Sequence, residues 1–350
     1  MFVKGEVIIV EKRRVFSSTW HDGRIYDAEE FFSMNKNVPF MFIIDTNFAI
    51  MIREFIVNEK EFKKNYANMY NDFINSIDLI RNNYHRIVYQ YSCEEASRSK
   101  ITGNINLEKY KLMSKCFEKV FQIDVNPYPV SYTHEISVPI NLTKIPLLKT
   151  NGLYKATSVI NYVMLLKAFI LKHFDGEKTN KEKVISFLDF MEKEAKIFSP
   201  VTQTFAVHYF GTDTNILKKV KKGNRFETVL NKLYAAAIDL TLPTIAAQLS
   251  EFTGFNEVPI FVSFDQGINT IFDSLLIDNL GRTPSGDIVP GYTQKIFYSS
   301  GWNDKEIIEL TKYGQKLQKN TKRKGKRNKI ELYKLAEKLE IELALAFTKI

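Results

Sequence analysis

The chain has 350 residues, 45% of them apolar and 25% charged, enough for one large or two modest globular domains with a real core. Its two cysteines, Cys93 and Cys116, have neither metal-ligand spacing nor the density of a disulfide framework, and Met1 to Glu6 lack a signal-peptide layout, so a reducing, cytoplasmic setting is expected. The net charge of +9 is concentrated in Lys319, Lys322, Arg323, Lys324, Lys326, Arg327 and Lys329; subtracting those seven leaves +2. Such an acid-free run suits nucleic-acid phosphates, although a solvated linker would look the same.

Residues 1–38 open with a strand, Val7 to Val10, followed by a connection of no clear period. The next stretch, Phe40 to Asp45, is a continuous apolar run ending in an acid, the pattern of a parallel strand buried on both faces. In open α/β sheets chemistry sits just beyond the carboxyl ends of such strands, where Asp45 falls; the alternative is an Asp that caps the following helix. Over 58–82, Phe62, Tyr66, Met69, Phe73, Ile77 and Ile80 recur every three or four residues and predict a single helix with a core-facing stripe. Arg86 to Tyr91 reads as a second strand, with Ser92 capping a helix that carries Glu94 and Glu95. Strand, helix and strand suggest a right-handed crossover in a parallel sheet.

Helices are expected at 107–121, 153–174 and 180–197, with Pro127, Pro129, Pro139 and Pro146 breaking the 126–148 stretch. The apolar 153–174 segment is interrupted by Lys155, Asn161 and Lys167, so it reads as a buried helix and not a membrane span. We read 104–200 as a helical insertion. A helix then runs over 226–240 and is broken near Pro243. The apolar strand Pro259 to Val262 leads into Ser263, Phe264 and Asp265, repeating the theme of a buried strand that delivers an acid. The chain closes with the basic run and an amphipathic helix bearing Leu332, Leu335, Leu339, Leu343 and Phe347.

Asp45, the Glu94/Glu95 pair and Asp265 stand at predicted strand ends, and Asp239 lies at the helical break before the last of these strands. Acids converging on one sheet edge repel unless a cation neutralises them, and all-oxygen donors favour Mg²⁺ or Mn²⁺ over zinc. The five histidines show no H-x-x-x-H spacing, which argues against zinc hydrolysis.

Phe42-Ile43-Ile44-Asp45-Thr46-Asn47 resembles the opening motif of the PIN-domain nucleases. Ser92 to Glu95 is similar to that family's second signature, Asp239 with Leu240 and Leu242 to its third acid at a helix start, and Ile260 to Asp265 to its last. The likeness covers roughly residues 38–100 and 205–270 (motif edges being uncertain by a few residues). Both gaps flanking the third acid are longer than a compact PIN domain needs, and Asp213 is the reserve for Asp239. The resemblance implies that Asp45 is the central metal ligand, Asn47 steadies its loop, Glu95 or Glu94 completes one half of the site, and Asp239 and Asp265 form the other. Ser263 would hydrogen-bond near the scissile phosphate or a ligand carboxylate. Asn47 could instead stabilise a turn, and Ser263 could cap a helix.

The expected architecture is therefore α/β: a PIN-like central parallel sheet flanked by helices, with an N-terminal extension (1–38), a core in two parts (39–103 and 201–300), a helical insertion (104–200) and a basic C-terminal helical extension (301–350). The implied function is Mg²⁺- or Mn²⁺-dependent endonucleolytic hydrolysis, of RNA in preference to DNA, leaving 5′-phosphate and 3′-hydroxyl ends. Members of the family act in toxin–antitoxin pairs, antiviral defence and RNA processing. The size of this chain favours a regulated defence nuclease, with room for an inhibitory or activating protein partner or for homo-oligomers, and no membrane association is expected. A catalytically silent nucleic-acid-binding or scaffold protein on the same fold stays open. A phosphatase is disfavoured, because Asp45-Thr46-Asn47 lacks the Asp-x-Asp-x-Thr pattern.

Overall fold

The structure, a computed structural model, describes residues 7–10, 13–17, 25–98, 105–129, 152–197, 199–211, 223, 225–242, 244, 257–273, 275–282, 288–294, 301–323 and 329–348. In chain order these form β1 (Val7–Val10), β2 (Arg13–Ser17), β3 (Ile25–Asp27), α1 (Ala28–Met34), β4 (Phe40–Ile44), α2 (Thr46–Val57), α3 (Glu59–Asn65), α4 (Tyr70–Asn83), β5 (Tyr84–Val88), α5 (Gln90–Ser97) and α6 (Leu107–Phe121). They continue with α7 (Gly152–Phe174), α8 (Asn180–Phe190), α9 (Pro200–Gly211), α10 (Phe226–Asp239), β6 (Val258–Val262), α11 (Gln266–Asp273), β7 (Leu275–Arg282), β8 (Ile288–Gln294), α12 (Asp304–Arg323) and α13 (Lys329–Phe347). The protein is α/β and divides into two compact units, one built from Met1–Ser137 and Leu242–Thr293, the other from Leu153–Thr241 and Gln294–Ile350.

The first unit holds a six-stranded mixed sheet in the order β3-β1-β2-β6-β4-β5. Its middle is parallel: β4 runs alongside β5 (Ile43 opposite Val88) and β6 (Ile44 opposite Val262). All five residues of β4 and of β6 are buried, which is why both read as unbroken apolar runs. Phe40, Phe42 and Ile44 face a cluster with Phe16, Phe31, Phe32 and Phe48, whereas the alternate residues Met41 and Ile43 are buried on the other side. Edge-on ring pairs such as Phe32–Phe40, with centroids 5.1 Å apart, fill that cluster.

Four sequence expectations change here. The predicted helix over 58–82 is two helices, α3 and α4, separated at Tyr66–Met69; Asn65 and Asn68 are weak helix formers at the break, and Asn58 caps α3 through Glu61 N–H at 3.2 Å. The stripe itself is core, with Phe62, Phe73, Ile77 and Ile80 buried. Ser92 is not a cap: α5 begins at Gln90, and Ser92 lies inside its first turn, donating its hydroxyl back to the Tyr89 carbonyl at 2.7 Å. Strand β2, unanticipated, pairs antiparallel with β6, Phe16 opposite Val262. Helix α6, expected inside the insertion, packs on α2 and α5 within the first unit.

The second unit is helical. Ten consecutive residues of α9, Val201 to Phe210, are buried, so this helix is enclosed on all sides. The C-terminal helices are part of this unit and not an appended tail. Tyr162 of α7 donates to Glu340 of α13 at 2.8 Å, Lys181 of α8 meets Glu309 of α12 at 2.9 Å, and Trp302 Nε1 donates to the Val207 carbonyl at 3.1 Å. Leu332, Leu335, Leu339 and Leu343 of α13 are buried, as their spacing requires. Among the described residues no helix is long and apolar enough to cross a membrane.

Candidate active site

The register of the parallel strands builds the site. Ile44 lies opposite Val262, so the residues that follow, Asp45 and Ser263, emerge side by side at the carboxyl edge of the sheet. Backbone bonds fix both: Asp45 N–H donates to the Val262 carbonyl and Ser263 N–H to the Val15 carbonyl, each at 2.9 Å. The Ser263 hydroxyl then donates to Asp45 Oδ2 at 2.8 Å. Asp45 occupies the cap position of α2 without a side-chain capping bond, and is only 4% exposed. Burial pushes its carboxyl up to about 6; the Ser263 hydroxyl and the Thr46 and Asn47 amides pull it down, while nearby Asp265 adds to the rise.

Asp265 is two residues beyond Ser263, at the start of α11. Its Oδ1 accepts from Gly267 N–H at 2.8 Å and Ile268 N–H at 3.2 Å, and its own amide donates to Ser263 Oγ at 3.0 Å. Asp265 therefore caps a helix with one oxygen and faces Asp45 through the charge interaction, two like charges flanking one serine.

On the opposite flank, Thr46 donates its hydroxyl to Glu95 Oε2 at 2.6 Å, tying the start of α2 to α5. Adjacent helical residues project about 100° apart, which separates the two glutamates. Glu95, half-buried, turns to Thr46, whereas Glu94, 2% exposed, turns inward with Arg98 Nη2 at 3.5 Å. Asn47 is exposed on the first turn of α2.

The structure thus brings together Asp45, Ser263 and Asp265, and connects Glu95 to them through Thr46. It does not put Asp239 at a helix start: Asp239 is the last residue of α10, in the second unit, where a carboxylate opposes the helix dipole. Asp213 lies outside the described residues. Of the basic run, Lys319, Lys322 and Arg323 end α12 and Lys329 begins α13, both in the second unit; Lys324, Lys326 and Arg327 lie outside the described residues. Among the described residues no three His, Cys, Asp or Glu side chains are grouped to hold one ion.

Two positioning residues escaped the sequence reading. Thr46 was visible only as the residue after Asp45. Asn269, fully buried in α11, donates Nδ2 to the Ser263 carbonyl at 3.0 Å and fixes the turn; its signal was a lone amide between Ile268 and Ile271, both buried. A cleft of about 440 Å³ lined by Arg53, Val57, Phe62 and Leu112 includes none of the site acids.

The donor set is oxygen only, and it contains a buried carboxylate beside a second one. That fits a hard divalent ion held by one or two carboxylates with water completing its shell; it does not fit a closed four-carboxylate cage. Comparison with protein-family models, curated proteins and solved structures gives no match to this chain.

Proposed function

We propose that this protein is a PIN-like, Mg²⁺- or Mn²⁺-dependent nuclease that hydrolyses phosphodiester bonds, with RNA as its preferred substrate. One observation carries the reading: a buried aspartate at the end of a central parallel strand, joined by a serine hydroxyl to the neighbouring strand end and set beside a second aspartate. Such an arrangement costs stability unless a cation relieves it. Asp45 and Asp265 would hold the ion, with Glu95 outside its shell, tied to the Thr46 hydroxyl. A bound divalent ion supplies Lewis acidity that lowers the pKa of water and neutralises charge developing on phosphate. The chain's own part is to orient: Ser263 fixes one Asp45 oxygen, and the α11 amides fix one of Asp265. The Lys319–Lys329 run supplies sequence-independent phosphate affinity.

The engagement of Asp265 as a helix cap favours one second reading, a catalytically silent nucleic-acid-binding or scaffold protein on this fold. Labelled single-stranded RNA and DNA incubated with Mn²⁺, Mg²⁺ or EDTA, beside Asp45→Asn, separate the two. Metal-dependent cutting that the variant lacks supports the nuclease, and the better-cut strand names the substrate. Binding without cutting by either protein, in all three conditions, supports the silent reading.

A further inference from the structure

Phe264 stands between Ser263 and Asp265, on the turn that leaves β6. Its backbone is held from both sides, by Asp265 N–H on Ser263 Oγ and by Asn269 on the Ser263 carbonyl. Its ring lies 9° from parallel to Phe48, with centroids 5.7 Å apart, and Phe48 is fully buried. Phe264 itself is partly buried, packed against the core cluster with part of its surface left to solvent. An aromatic ring stacked on a buried neighbour is thereby carried by the residue between Ser263 and Asp265, with little side-chain entropy left to lose on binding.

We infer that Phe264 is a stacking platform for a nucleobase adjacent to the phosphate held at Asp45 and Asp265, a contact that only an unpaired base can make. This rests on the nuclease reading above and deepens it. A base within a duplex is already stacked on its neighbours, whereas an unpaired base offers a free π-face to a phenyl ring, whatever its identity. The competing role is simple core closure over Phe48. Leucine could meet that role, and it would be indifferent to the presence of a base.

The experiment uses the full chain and a short fluorescent single-stranded RNA, intact or carrying one abasic position moved along its length, with Ca²⁺ present and binding read by anisotropy. At one position, loss of the base is expected to weaken wild-type binding about 5- to 150-fold, the range for removing one base–aromatic stack. Phe264→Leu is expected to weaken the intact strand as much, Phe264→Trp to retain affinity, and Phe264→Leu with the abasic strand to lose no more than either change alone. A wild-type scan in which no position matters overturns the platform without any variant, and so do losses that multiply. Cleavage by wild type with Mn²⁺ is read in parallel. Cutting with base-independent binding removes the platform and keeps the nuclease, whereas base-dependent binding without cutting does the reverse. A chain that binds no single strand removes the platform outright.

Discussion

Replacing Asp45 by Asn should stabilise this protein at neutral pH when divalent ions are chelated. The carboxyl releases its proton at 3.8 in the unfolded chain and at about 6 in the folded one, chiefly because it is buried. Between those values the folded state holds a proton that the unfolded state has lost, so this group's contribution is greatest below pH 4 and declines as pH rises through 6. The difference amounts to about 3 kcal/mol above pH 7, at 1.36 kcal/mol for each tenfold change in proton affinity. Asn keeps the shape and can still accept from Ser263 Oγ, and it never ionises. Denaturant unfolding in EDTA across pH 4 to 8 is the assay. The variant's advantage should be absent near pH 4, grow to about pH 6 and then level off, equivalent to roughly 6–12 °C in Tm for a domain of this size. Mn²⁺ at 1,000 times Kd should reverse the order, because wild type then gains about 4.1 kcal/mol from binding. A variant no more stable than wild type at pH 7 in EDTA would refute the claim that Asp45 is a strained, desolvated carboxylate.

Ser263→Ala removes the donor to Asp45 and the acceptor for the Asp265 amide. Stability should fall by about 1–3 kcal/mol, and the Asp45 carboxyl, followed by carbon-detected NMR titration, should move above its wild-type value; an unmoved titration would contradict the bond's role. Thr46→Val keeps shape but loses the bond to Glu95, so Mn²⁺ affinity should drop while stability changes by no more than about 1 kcal/mol, with Thr46→Ser restoring the affinity. Gln at all seven basic positions of 319–329 should flatten the plot of log affinity against log salt by up to about 5 for a single strand. Substitution is the sounder test than deletion because Lys319, Lys322 and Arg323 are helical residues of α12; an unchanged slope would remove the run from nucleic-acid contact.

The parts of this structure legible in the sequence are those where one physical demand dominates. β4 and β6 are buried on both faces, so Phe40 to Ile44 and Val258 to Val262 show as apolar runs, and each delivers an acid beyond its end. Helix α6 falls on the predicted 107–121 because its apolar face repeats cleanly between the Asn106 cap and the left-handed Gln122. Legibility failed where local sequence serves two masters. Ser92 looks like a cap, yet β5 ends at Val88 and α5 starts before the serine. Glu94 and Glu95 are equivalent in sequence, and only the rotation of α5 sends one to Arg98 and the other to Thr46. Two residues of β2, Val15 and Phe16, carry all of its described burial, too short a signal for an antiparallel strand. The assignment of α6 to the first unit, and of α12 and α13 to the second, depends on long-range packing that no local pattern encodes.

The most direct test of the central claim is a Mn²⁺ titration followed by electron paramagnetic resonance on wild type, Asp45→Asn and Asp265→Asn. One ion should bind per wild-type chain, and each variant should weaken it by more than the roughly 10- to 100-fold that loss of an outer-shell partner costs. Equal binding by all three proteins would contradict a metal centre built on Asp45 and Asp265.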